Sequence, residues 1–84
     1  RRADILVHDR SGQPVMVVEC KAPAVKLTQA VLDQVINYIY NYGVMYIILT
    51  NGINHLTARI NPVARTFVQL EQIPDYETVI STEP

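Results

Sequence analysis

Two β-rich runs around a polar, glycine-bearing turn constrain this chain most: Ile5-Leu6-Val7-His8, then Asp9-Arg10-Ser11-Gly12-Gln13-Pro14, then Val15-Met16-Val17-Val18. The pattern predicts an antiparallel hairpin. With Ser11 and Gly12 as the loop residues, Asp4 falls directly across from Glu19, their Cβ atoms roughly 5 Å apart. The period of two then turns Lys21 to the same face as Glu19 and Cys20 to the other. His8 shares the face of Asp4, which leaves it open to a minor substrate-side role.

A hairpin end carrying Asp4, Glu19 and Lys21 can do chemistry. Two carboxylates at that separation form a hard, oxygen-rich site, suited to a magnesium ion that keeps water and a substrate phosphate in its remaining positions. Such an ion polarises a phosphoryl oxygen and activates a water. An adjacent ammonium would orient that water or offset charge growing on the phosphorus. The plain alternative is that the three are solvated charges, with Glu19 and Lys21 a weak same-face pair.

Beyond the hairpin, Ala22-Pro23-Ala24 breaks the strand and Thr28 stands as a helix N-cap, with Leu27 and Leu32 placed to form a hydrophobic staple. The helix is expected to run to about Tyr42, with Gly43 as its stop. Val31, Leu32, Val35, Ile36, Tyr38, Ile39 and Tyr42 give it a wide apolar face, with Gln34 and Asn41 at one edge. Residues 44–49 form a continuous apolar run, the pattern of a strand covered on both faces. A right-handed crossover would set it parallel to residues 15–20. Residues 55–60 and 66–70 read as a second hairpin around Asn61-Pro62, and Pro74 begins a short polar tail with some helical character. No repeat or linker divides the chain, so residues 1–84 are taken as one domain.

The size and charge of the chain narrow its function. At 84 residues it sits near the low end of what a core supports unaided. An apolar share of 49% argues against disorder. A net charge of −1 gives no global basic field of the kind that drives sequence-independent DNA binding. Phosphate contacts would have to come from local cations, Arg1, Arg2, Lys21, Lys26, Arg59 and Arg65, with a metal offsetting the acidic centre. One cysteine offers no disulfide framework and fits a reducing cytoplasm. Cys20 reads as a small buried hydrophobe, and His8 and His55 as ordinary strand residues. No apolar run approaches the ~20 residues of a membrane span, so no membrane partner is expected.

Four blocks carry a resemblance: Arg2-Ala3-Asp4-Ile5, Val17-Val18-Glu19-Cys20-Lys21-Ala22-Pro23, Gln34-Val35-Ile36-Asn37-Tyr38 and Tyr46-Ile47-Ile48-Leu49-Thr50-Asn51-Gly52. In this order they resemble the PD-(D/E)xK nuclease superfamily, and within it the N-terminal nuclease domain of type I restriction enzyme R subunits and related small stand-alone proteins. The resemblance implies an α/β fold with a restriction-endonuclease-like core: a mixed sheet with an N-terminal hairpin, a crossover helix and a following central strand. It implies Asp4, Glu19 and the backbone carbonyl of Cys20 as ligands of Mg2+ or Mn2+, Lys21 as the catalytic cation, Gln34 as a catalytic positioning group, and Tyr38 as a substrate-positioning residue. The chain departs from the family in having Ala3 where proline is usual. It also lacks the family's first helix ahead of the strand, so it is expected to be a fragment.

The leading expectation is therefore a magnesium-dependent hydrolase acting on DNA. The alternative within the same fold is a catalytically silent module that binds DNA or protein alongside other restriction-system subunits. A third reading is a small α/β scaffold that forms homo-oligomers through its apolar strands.

Overall fold

The computed structural model describes residues 4–82. Its elements follow in the order β1 (Ile5–His8), β2 (Pro14–Cys20), α1 (Gln29–Ile39), a 3-10 turn (Tyr40–Tyr42), β3 (Tyr46–Thr50), β4 (His55–Asn61), β5 (Thr66–Leu70) and α2 (Tyr76–Ser81). The strands make one mixed sheet in sequence order. Strands β2 and β3 are parallel, and every other neighbouring pair is antiparallel. The architecture is thus α/β, five strands with two helices.

The first hairpin has the expected register but not the expected turn. Ile5 pairs with Val18, Leu6 with Val17 and Val7 with Met16, and then the register shifts so that His8 pairs with Pro14. The loop is set by Asp9, whose Oδ1 accepts the Ser11 N–H (2.9 Å), the Ser11 hydroxyl (2.7 Å) and the Gln13 N–H (2.9 Å). An aspartate closing its own turn in this way favours a longer loop than the Ser11-Gly12 pair. A bulge at Val15 takes up the extra residue. The kink also puts Val15 and Met16 in one apolar cluster, which strict alternation would separate.

Helix α1 begins as its sequence dictates. The Thr28 hydroxyl accepts the Val31 N–H at 3.2 Å, and Leu27 packs into the cluster that holds Leu32. The α-helix stops at Ile39, three residues short of expectation, because its last turn tightens into the 3-10 turn before Gly43 ends it at φ +70°. A side chain would strain that left-handed position. Leu32, Val35, Ile36 and Ile39 bury one face of α1 on Val17, Val44, Ile47, Leu49, Ala58 and Ile60.

The opposite face of the sheet is covered by α2. Asp75 caps this helix by accepting the Thr78 N–H at 2.8 Å, and Val79 is buried against Val15, Met16 and Tyr46. The segment after Pro74 is therefore part of the core, a correction to its reading as a polar tail. The apolar run in β3 is explained by helices on both faces. Polar contacts join α2 and its C-cap to the rest, among them Arg10 with Glu77, the Tyr76 hydroxyl donating to the His8 carbonyl (2.9 Å), and Tyr46 with Thr82 (2.7 Å). No helix among the described residues is long and apolar enough to cross a membrane.

Candidate functional site

The site lies where β2 and β3 end. The Lys21 N–H donates to the Thr50 carbonyl at 2.7 Å, carrying the parallel ladder one residue past the strand. Successive N–H groups of a strand point to opposite neighbours, so that of Cys20 points towards β1. Its acceptor is a side chain: Asp4 Oδ2, at 2.7 Å. Asp4 stands one residue ahead of β1, and its carboxylate continues the ladder at the edge of the sheet.

Glu19 occupies the neighbouring position of β2, paired with Leu49 of β3. Alternation turns it to the α1 face with Val17, and it is 3% exposed. Its Oε1 is shut off from solvent. Asp4 by contrast is exposed and Lys21 half-buried. The structure therefore gathers Asp4, Glu19 and Lys21 at one end of one hairpin, the Asp4 carboxylate exposed on the Cys20 amide and the Glu19 carboxylate buried. Solvated hairpin-end charge does not describe Glu19.

The remaining candidates are placed less closely. Helix α1 starts near this end of the sheet and runs back along the strands, so Gln34 and Tyr38 lie roughly 7 Å and 13 Å along its axis from Gln29. Gln34 is exposed. Tyr38 is half-buried and makes a T-shaped pair with Tyr42, ring centroids 5.7 Å apart and hydroxyls 3.0 Å apart. His8, at the far end of β1, is roughly 13 Å along the strand from Asp4. Cys20 is exposed, a correction to its reading as a buried hydrophobe. His55 shares a hydrogen bond with the Thr50 hydroxyl at 2.7 Å.

The cations expected to meet phosphate are spread out. Lys26 is exposed in the loop before α1. Arg59 lies between Ala58 and Ile60, which face α1, so it projects from the other face. The Arg65 guanidinium sits 4.6 Å from the centroid of the Tyr40 ring, beside the C-terminal end of α1. Arg1 and Arg2, and with them Ala3, lie outside the described residues.

One contributor was not singled out from sequence. Asn51 is 5% exposed, and its side chain bonds to both the β3–β4 turn and the loop that follows β2. The signal available was the turn-forming triplet Thr50-Asn51-Gly52, which does not say where the amide points.

Asp4 and Glu19 offer oxygen donors only. Among the described residues no three His, Cys, Asp or Glu side chains cluster as a metal cage. Two carboxylates alone suit magnesium, which keeps several waters, and do not suit a closed zinc site.

The fold and this end of the sheet define an α/β domain with Glu19 and Lys21 at the carboxyl end of β2 and Asp4 at the adjoining start of β1. The family model described as type I restriction enzyme R protein N terminus matches residues 1–74, and the chain belongs to that family. Comparison with curated proteins gave no match, and neither did comparison with solved structures.

Proposed function

We propose that this domain is a metal-dependent DNA nuclease of the PD-(D/E)xK kind, built on a restriction-endonuclease-like core. The observation that carries the proposal is the Asp4 carboxylate held on the amide of Cys20, the residue that follows the buried Glu19. Family membership supports a nuclease-related module. Asp4 and Glu19 would hold Mg2+ or Mn2+, with the Cys20 carbonyl completing the protein's share. When bound, the ion supplies the charge that polarises a phosphoryl oxygen and eases proton loss from a water.

The chain's own residues do the rest. Glu19 keeps its carboxylate out of bulk water, where its field is least screened. Asp4, fixed through Oδ2 on a backbone amide, leaves its other oxygen directed by a strand rather than by a mobile loop. Lys21 offers an ammonium that would steady charge developing on the phosphate. Gln34 and Tyr38 on α1 would position substrate from the rim. The scattered cations and the net charge of −1 favour a second reading, a catalytically silent module that binds DNA or protein in a restriction assembly.

The test uses the full-length protein with supercoiled and linear DNA. Cleavage should require magnesium or manganese and stop with a chelator. By titration calorimetry Glu19→Ala should lose metal binding as well as cleavage, since it removes an oxygen donor. Absence of metal binding by the wild-type protein defeats the nuclease reading; metal or DNA binding without cleavage promotes the silent module.

A further inference from the structure

Asn51 bonds through both ends of its amide. Its Oδ1 accepts the N–H groups of Ile53 (2.9 Å) and Asn54 (2.7 Å), which fixes the turn between β3 and β4. Its Nδ2 donates to the carbonyl of Val25 at 2.8 Å, in the loop that leaves β2. Gly52, Ile53 and Asn54 are exposed, yet Asn51 is buried. A buried amide satisfied at both ends holds its partners in one arrangement, because losing any of these bonds strands a desolvated group.

Residues 21–25 form a short arch with both feet on the end of β3. One foot is the Lys21 N–H on the Thr50 carbonyl, at 2.7 Å. The other is the Val25 carbonyl on Asn51, and between them the Val25 N–H bonds the Ala22 carbonyl at 2.9 Å. The Lys21 ammonium rides on a flexible four-carbon stem, and the region it can reach is set by where the backbone beneath is held. We infer that Asn51 is a positioning residue for Lys21: its amide pins the far foot of the arch and so holds the backbone from which the ammonium reaches the site. The inference rests on the nuclease reading for its catalytic consequence, and on the hydrogen bonds alone for its structural one.

Asn51→Asp in the full-length protein separates the two functions of the amide. An oxygen remains for the Ile53 and Asn54 N–H groups, but the donor to Val25 becomes a second oxygen that repels the carbonyl. Cleavage kcat should fall about tenfold to a hundredfold, the scale of loss for a displaced catalytic group. KM should change far less than kcat, by at most the loss of one phosphate contact, and the calorimetric metal Kd should stay within about twofold, since neither carboxylate is altered. Combined with Lys21→Ala, the change should cost nothing further, because a misplaced lysine and an absent one remove the same interaction. Hydrogen exchange at the Lys21 and Val25 amides should quicken at least about tenfold while that of β2 and β3 holds, as local opening would require.

Wild-type kcat in the variant, or a loss that multiplies with that of Lys21→Ala, overturns the inference. So does unchanged exchange in the arch. If the wild-type protein binds metal but cuts no DNA, the nuclease reading falls and exchange decides alone: faster exchange upholds the tether, and unchanged exchange overturns it.

Discussion

At the scale of single residues, burial separates side chains that hold the fold from those that act. Ile36 and Leu49 are buried to about the same degree as Glu19. Their role is to fill space between α1 and the sheet, and each truncation to alanine should cost about 2–5 kcal/mol of stability, read as a lower denaturation midpoint in urea. An ionisable carboxylate in the same layer is costly to keep there, so its presence needs a reason other than packing. Lys21→Ala provides the complementary test. A lysine that assists the transition state without touching the metal should, when removed, reduce kcat by far more than it changes the calorimetric metal Kd. Loss of metal binding in that variant would show that Lys21 holds the site together rather than serving the reaction.

At the scale of elements, short side chains at the ends of helices and turns set the boundaries. Thr28→Ala removes the acceptor for the Val31 N–H and should cost about 1 kcal/mol, measured as a shift in the chemical-denaturation midpoint. Asp9 and Asp75 do similar work with charge. The Ser11 hydroxyl, then the Gln13 amide, hold the Asp9 carboxyl below its ordinary value of 3.8. The Thr78 amide, then its hydroxyl, lower Asp75 from the same value. A carboxyl whose pKa is lower in the folded state binds protons more readily when unfolded. Its stabilisation is therefore complete above 3.8 and fades as pH falls through the depressed folded value. Urea midpoints should hold down to about pH 4 and then drop, and Asp9→Asn with Asp75→Asn should flatten that part of the curve; an unchanged acid limb would mean other carboxylates govern it.

The elements also show what the sequence could and could not convey. The strand pairing was legible because apolar residues on both strands had to meet in one register. The turn was not, because a bulge and a longer loop give the same pairing as a two-residue turn with no bulge. The cap and staple of α1 were legible as local patterns at Thr28, Leu27 and Leu32. Val79 was not, since one apolar residue in a polar stretch carries no period. That Asp4, Glu19 and Lys21 share one end of the hairpin was legible because the strand register fixes which positions meet there. Asn51 was not, because its partner Val25 is 26 positions away and no periodicity joins a turn to a loop.

At the scale of the whole molecule, charge decides how DNA would be met. The protein carries 7 Lys and Arg against 8 Asp and Glu, so no overall field draws it to a phosphate backbone. Arg59 projects from the face opposite α1, and Arg65 is engaged with the Tyr40 ring. Lys21 and Lys26 are the described cations placed in the stretch between β2 and α1, beside the carboxylate pair that would hold the metal. If DNA is engaged there, Lys21 and Lys26 neutralise about two phosphates, and binding should weaken roughly 12-fold between 50 and 200 mM salt, from a log–log slope of about −1.8. The measurement is fluorescence anisotropy of a labelled duplex with the full-length protein, in magnesium and in chelator. A slope steeper than about −6 would require a broad basic surface rather than a local site. Binding equally tight in chelator would show that the carboxylate pair, left with its negative charge, does not lie against the phosphates.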